Sequence, residues 1–236
     1  DANVVARLKT AAQRHERTLF ATGGRLALHK CTWVLVNWIW SDGVATLAGD
    51  QGAEGEADPA LALTQSEDGT RQVITRLLPD QAYRTLGIWI AADGNQRIQL
   101  DVLSSKVETW LSAIRRSSLS DTDKLTAYSM FLRPQLVYPI GCTSIEAKHL
   151  RKLFRPVLTI LLHALGLPRN FPLAVTFAGK EDLGVGLDNI VCVMGVAQLQ
   201  LLLGHLNKQD RTGQLLRIER DYLELVIGMG CGIAGK

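Results

Sequence analysis

Hydrophobic and polar positions along this 236-residue chain recur with one period in the first hundred residues and another afterwards. Val4, Leu8, Ala11, Ala12, His15 and Leu19 fall at spacings of three and four, which predicts an amphipathic helix over 4–21 with Gly23-Gly24 as its stop. Residues 28–40 read as one strand rich in Trp and Val, since β-branched and aromatic side chains suit a pleated, half-buried surface. Ser41-Asp42-Gly43 signals a turn, and 44–47 its hairpin partner. Residues 72–78 predict a short strand stopped by Pro79, and 83–90 a further one closed by Asp93-Gly94. Between them, 49–69 is acidic, Gly-rich and poor in large apolar side chains, and is expected to be a mobile insertion without structure.

From residue 98 the period lengthens to about 3.6 and the chain is predicted to be helical to its end. Leu103, Val107, Trp110, Leu111 and Ile114 mark one helix. The next starts at Ser120, with Asp123 completing a capping box, and Leu125, Tyr128 and Leu132 face inward until Pro134 kinks or ends it. Ser144 is expected to cap a third helix, with Leu150, Leu153, Phe154, Val157, Leu161 and Leu165 inward, a bend or break at Pro156, and a stop at Gly166 ahead of Pro168. Two more follow over 187–206 and 212–227, with Ile190, Met194, Ala197 and Leu201, then Leu215, Ile218, Tyr222 and Val226, as apolar positions. The expected fold class is α+β: a small antiparallel β segment with one helix at the N-terminus, then a mostly α-helical C-terminal two thirds. No repeat at a fixed period appears, which argues against a solenoid.

Composition alters this picture little. At 47% hydrophobic and 21% charged the chain can bury a sizeable core. No apolar run reaches the roughly 18 residues that span a bilayer, so no membrane partner is expected and an intracellular setting is, nuclear or cytoplasmic left open. The chain does not begin with Met and is expected to be a fragment of a longer protein. Cys31, Cys142, Cys192 and Cys231 are widely spaced, without zinc-ligand spacing, and are expected to be reduced and buried.

Charge says more about partners. Residues 42–70 carry seven acids and no Lys or Arg, whereas 106–180 carry eleven bases against four acids, a net +7. Within the latter, Lys148, Arg151, Lys152 and Arg155 stand at i, i+3, i+4 and i+7, one helical face opposite the apolar stripe. Such a row suits phosphates; a merely solvated face is the competing reading. Trp33, Trp38 and Trp40 alternate along the predicted strand and are expected to be core packing, with base stacking as the alternative. His163, on an apolar helix, is expected to be a buried histidine, and no His has a convincing catalytic or metal partner by spacing. Gly230-Cys231-Gly232-Ile233-Ala234-Gly235 matches G-x-G-x-x-G but follows a helix, so dinucleotide binding is not expected.

A helix, the Gly23-Gly24 turn and a strand bearing Lys30 resemble the end of the palm of a reverse transcriptase of the non-LTR retroelement type. Tyr83-Arg84-Thr85-Leu86-Gly87-Ile88-Trp89-Ile90 is similar to the Leu-Gly strand of that family, which belongs to a hairpin gripping the primer. Residues 103–114, Leu119-Ser120 with Lys124, and Leu132-Arg133-Pro134-Gln135-Leu136-Val137-Tyr138-Pro139 are similar to its thumb helices, and 167–236 to a C-terminal extension. The resemblance implies three regions: a palm-end remnant over 1–97, a thumb over 98–166 and the extension over 167–236. It implies a primer–template duplex of RNA or DNA as partner, held through Leu86, Gly87, Lys124, Lys148, Arg151, Lys152 and Arg155. It also implies Lys30 as a general acid beside the leaving pyrophosphate, an exposed lysine being the competing reading. The fingers, the first aspartate motif and the Phe/Tyr-x-Asp-Asp turn are not in this sequence. No metal site and no cofactor are therefore expected in this chain, Mg2+ being implied only for a complete polymerase joined to the missing palm and fingers. The other reading is a non-catalytic helical module that binds RNA or an acidic protein, such as a decayed retroelement remnant.

Overall fold

A computed structural model describes residues 2–47, 61–208 and 210–228. It is a mixed α+β structure in two compact units, one comprising Asp1–Thr85 and Trp89–Asn95, the other Leu86–Ile88 and Gln96–Lys236. The boundary between the units falls at 95/96, and the tip of one hairpin, Leu86–Ile88, groups with the helical unit.

The first unit opens with α1, Ala2–Ala21. Its end is set by glycine: Gly24 N–H donates to Leu19 O (2.9 Å), Gly23 N–H donates to Phe20 O (3.0 Å), and Gly23 takes φ +80°, the left-handed value this cap needs. The expected strand over 28–40 is instead three pieces. Leu28–Lys30 is a 3-10 turn, closed by Cys31 N–H on Leu28 O (3.0 Å), because Leu28 turns inward as a core residue only 2% exposed. Then come β1, Thr32–Val34, and β2, Trp38–Ser41. β2 pairs antiparallel with β3, Val44–Leu47, through Asp42-Gly43, whose φ values of +52° and +78° match a two-residue turn with the twist of the flanking strands. Trp33 is buried, but Trp38 and Trp40 are exposed, so the expectation of core packing fails for two of the three tryptophans. The β2/β3 hairpin has no fully buried residue, which is why alternation along it reports no buried face.

The acidic stretch contains order where none was expected. Leu61, Ala62 and Leu63 are buried, and β4, Ala62–Thr64, pairs antiparallel with β5, Arg71–Val73; three consecutive apolar residues outweigh their polar neighbours. Residues 49–60 of that expected insertion lie outside the described residues. The strand expected over 72–78 is broken at Ile74, whose N–H donates to Leu61 O (2.8 Å). After it β6, Thr75–Leu77, leaves β5's ladder and pairs with β1 in parallel, Thr32 opposite Thr75. That parallel pair departs from the antiparallel expectation, and the long connection between its strands permits it. Arg76 lies over the Trp33 ring at 5.5 Å from its centroid. The last expected strand is a hairpin, β7 (Tyr83–Thr85) and β8 (Ile88–Ile90), because Leu86 and Gly87 both take positive φ, +49° and +87°.

The helical unit comprises α2 (Arg97–Arg116), α3 (Asp121–Ala127), a wider π turn at Tyr128–Leu132, α4 (Arg133–Ile140), α5 (Ala147–Ala164), α6 (Leu173–Phe177), α7 (Ile190–Leu206) and α8 (Arg211–Ile227). Ser120 caps α3, accepting from Asp123 N–H at 3.2 Å. Pro134 does not end the helical run; it sits in the first turn of α4, just after the π turn at Tyr128–Leu132. α5 starts after Glu146 rather than at Ser144, because Ile145 is drawn into the core, and it runs through Pro156 as one helix. It stops as expected at Gly166 (φ +69°), with Leu167 N–H on Leu162 O (2.9 Å).

Leu103, Val107, Trp110, Leu132, Leu136, Ile140, Leu150, Phe154, Val157 and Leu161 form the main core, with Trp110 edge-on to Tyr128 at 6.4 Å. Two expectations of burial fail: Leu165 is exposed just past the last residue of α5, and His163 is exposed. Of the apolar positions read on α7 and α8, Leu201, Leu215, Ile218, Tyr222 and Val226 are exposed. α7 is apolar around its whole circumference, so its pattern does not pick out the face that packs. Cys142 and Cys192 are exposed rather than buried, Cys31 is partly buried, and none of the three is in a disulfide. The glycine-rich motif at 230–235, with Cys231, lies outside the described residues.

Candidate nucleic-acid interface

α5 carries the site because its two faces differ so sharply. Leu150, Phe154, Val157 and Leu161 are buried, and burying side chains of that size is worth about 1.5–3 kcal/mol each, so rotation of the helix is fixed. Lys148, Arg151, Lys152 and Arg155 then project outward, all four exposed. The row at i, i+3, i+4 and i+7 is therefore real and outward.

Its members differ in their surroundings. Lys148 Nζ lies 2.6 Å from Glu146 Oε2, and this contact holds the Glu146 carboxyl below the ordinary glutamate range. Arg151, Lys152 and Arg155 have no carboxylate partner among the described residues. Lys152 and His149 share a hollow of about 280 Å³ with Asp101 and Glu108 of α2, so that flank is mixed in sign. Arg151 and Arg155 border the opposite flank, a cleft of about 860 Å³.

Lys124 is not free to join them. It lies on α3, where its Nζ donates to Asp121 Oδ1 at 2.8 Å and lowers that carboxyl from its usual value. Arg133 is likewise engaged, its guanidinium forked onto both oxygens of Asp188, which raises its own pKa. Tyr128, beneath that pair, has its hydroxyl pushed well above the ordinary value by burial first and by the Asp188 charge second. Eleven bases in the sequence window thus yield a much shorter list of uncommitted cations.

Leu86 and Gly87 sit at a turn rather than along a strand. Leu86 is 85% exposed, and Tyr138 Oη donates to its carbonyl oxygen at 2.7 Å. A Cβ on Gly87 would stand 3.7 Å from the Tyr138 ring, ordinary contact, so the positive φ rather than crowding makes glycine suitable there. Lys30 is exposed at the end of its 3-10 turn in the first unit rather than at the start of a strand, because the backbone turns at Ala27 O to bury Leu28. Among the described residues no three of His, Cys, Asp and Glu converge into a group that could hold a metal ion.

What the sequence reading missed is Arg169. It follows the Gly166 stop in a tight turn, Phe171 N–H donating to Pro168 O (3.0 Å), and this turn brings it to the same cleft as Arg151 and Arg155. No sequence spacing relates it to them; the signal available was only the Gly-then-Pro punctuation that reverses the chain. No single helix among the described residues is long and apolar enough to cross a membrane. Compared with known proteins, the chain matches no family model, no curated protein and no solved structure.

Proposed function

We propose that the helical unit holds nucleic acid through its phosphates, in the manner of the thumb and C-terminal extension of a retroelement-type reverse transcriptase gripping a primer–template duplex. The observation that carries this reading is the outward row on α5, in which Arg151, Lys152 and Arg155 are exposed on a helix whose other face is locked into the core. Cations left without carboxylate partners exchange counterions with a phosphate backbone, which makes binding favourable and salt-dependent. The Leu86-Gly87 tip, presented by its hairpin and tied to Tyr138, is the second contact in this reading. An intracellular setting belongs to it.

The test is a salt titration of duplex binding. Affinity falls linearly on a log–log plot, and Arg151→Gln with Lys152→Gln flattens the slope by about two units. Salt-independent binding, or an unchanged slope in the double variant, overturns the proposal. The same reading assigns no polymerase activity to this chain alone. Incorporation of labelled dNTP on a poly(A)/oligo(dT) template by the 236-residue protein would contradict it. Lys30 acts in it only when an upstream palm supplies the metal-holding aspartates: there Lys30→Leu lowers single-turnover incorporation roughly 10²-fold with duplex affinity near normal, and a wild-type rate rejects the role.

A second reading has its own support. Val196, Leu199, Leu203, Leu215, Ile218, Leu225 and Val226 of α7 and α8 are each at least half exposed, an apolar surface suited to protein contact. It predicts a helical interaction module in which nucleic-acid affinity is weak, and the salt titration separates the two.

A further inference from the structure

The cleft beside α5 is a built cavity with a sign. Its polar lining is Arg151, Arg155, Thr159, Arg169, Asn170 and Asn189, with no Asp or Glu, and none of the three guanidinium groups has a carboxylate partner among the described residues. Three like charges around one hollow repel each other until an anion lies among them, and a concave, low-dielectric wall focuses their field inward. The rest of the lining is the reverse in character: Phe154, Leu162 and Ile190 are buried, and half-buried Phe171 and Phe177 add two further phenyl rings. About 860 Å³ lies within the range of sites that enclose a small molecule.

The walls are set before any ligand arrives. Thr176, fully buried, donates to Pro172 O at 3.0 Å, while Val185 N–H on Val175 O (2.9 Å) and Leu187 N–H on Thr176 O (3.1 Å) stitch the following loop to α6. Asn189 Oδ1 accepts from Val191 N–H at 3.1 Å, capping α7, so the positive end of a 17-residue helix also opens on the cleft. Such preorganisation cuts the ordering cost of binding.

We propose that this cleft takes an unpaired nucleotide at the end of a nucleic-acid strand, its base against Phe171 and Phe177 and its phosphates on Arg151, Arg155 and Arg169. Every base offers a flat apolar face, arginine planes and phenyl rings both stack on it, and guanidinium forks match phosphate oxygens. Arg151 and Arg155, about 6 Å apart along the helix axis, can serve successive phosphates. A glutamate-rich peptide would satisfy the cations but has no flat body for the phenyl rings. The inference rests on the phosphate-holding reading above, because Arg151 and Arg155 belong to both.

The experiment compares three probes on the whole chain by fluorescence anisotropy: a blunt duplex, the same duplex with a short single-stranded overhang carrying 2-aminopurine, and a glutamate-rich peptide. The overhang tightens binding about tenfold and its 2-aminopurine emission is quenched, as one stacked base warrants. Phe171→Leu and Arg169→Lys, each keeping bulk or charge, abolish that gain while leaving blunt-duplex affinity within about twofold; thermal melts by circular dichroism confirm that both fold. A blunt duplex bound with a steep salt slope but no overhang gain overturns the cleft and leaves the phosphate-holding reading standing. A gain that survives in both variants, or a peptide that competes as well as the overhang, also overturns the cleft. Failure of every nucleic-acid probe to bind overturns both.

Discussion

In the first unit the core cluster has six buried residues, Val5, Leu28, Trp33, Leu61, Leu63 and Ile74, drawn from a helix, a 3-10 turn, short strands and residues beside them; in the helical unit the cluster has fifteen, from Leu103 to Ile190, drawn mostly from α2, the π turn, α4 and α5. With so small a core, the first unit relies on specific polar joints between residues far apart in sequence. Gln13 of α1 behaves like a strand edge, donating to Thr64 O (2.7 Å) and accepting from Thr64 N–H (2.8 Å), and Glu16, itself buried, accepts from Ser66 N–H (2.9 Å) and Ser66 Oγ–H (2.6 Å). The helical unit needs few such joints because each helix satisfies its own backbone and offers an apolar stripe. Its polar groups are therefore free for other work, which is why the cations of α5 can be left uncommitted.

The largest expected effect breaks the helical side of this contrast. Leu161 is fully buried in the last turn of α5, and Leu161→Ala costs about 2–5 kcal/mol, lowering the melting temperature of the helical unit by several degrees or more. Calorimetry checks it; a change below about 1 kcal/mol means that the α5 core is loose.

Next comes the polar joint in the first unit. The Ser66 hydroxyl, and then the Ser66 amide, hold the Glu16 carboxyl below its ordinary value of 4.5. A depressed folded-state pKa stabilises the fold where the carboxylate is ionised, so this contribution is complete above pH 4.5 and fades as pH falls through the lower, folded-state value. Hydrogen-exchange protection of the Thr64 and Ser66 amides drops on acidification in the wild type and is already low, with a flat pH profile, in Glu16→Gln. Identical profiles in the two proteins would show that the joint is dispensable.

A smaller effect concerns the hairpin tip. Tyr138→Phe removes the donor to Leu86 O and costs about 0.5–1.5 kcal/mol, read as faster amide exchange at Gly87. In contrast, Leu86→Gly relieves a left-handed leucine whose cost is about 1–2 kcal/mol, partly offset by glycine's greater freedom when unfolded, and leaves thermal stability equal or slightly higher. A marked loss on Leu86→Gly would mean that the leucine side chain is held by contacts. Smallest of all, Lys30→Ala changes stability by less than about 0.5 kcal/mol in chemical unfolding, as an exposed side chain at a turn should.

How much was legible in the sequence follows the same division. In α2, in the segment from Tyr128 to Ile140 and in α5 most of the expected inward residues are buried, and the α5 row faces outward, because a period of 3.6 places residues on faces without reference to any partner; in α1 the expected apolar positions Val4 and Leu8 are exposed, and Val5 and Glu16 are buried instead. The capping of α3 by Ser120 and the stop at Gly166 were legible for the same local reason. The strands were not. Residues 28–40 carry the composition of a strand, yet Leu28 is claimed by a core assembled from Leu61, Leu63 and Ile74, and the chain bends to deliver it.

By itself, then, the sequence determined the α+β division, the placement of most helices and the outward direction of Lys148, Arg151, Lys152 and Arg155, all set by interactions within a few residues. Only the tertiary structure decided three further things: that β1 pairs with β6 in parallel, that Lys124 and Arg133 are taken by Asp121 and Asp188, and that Arg169 meets Arg151 and Arg155 across one cleft. Each depends on residues distant in sequence or on a side chain's choice among neighbours, and hydrophobic periodicity encodes neither.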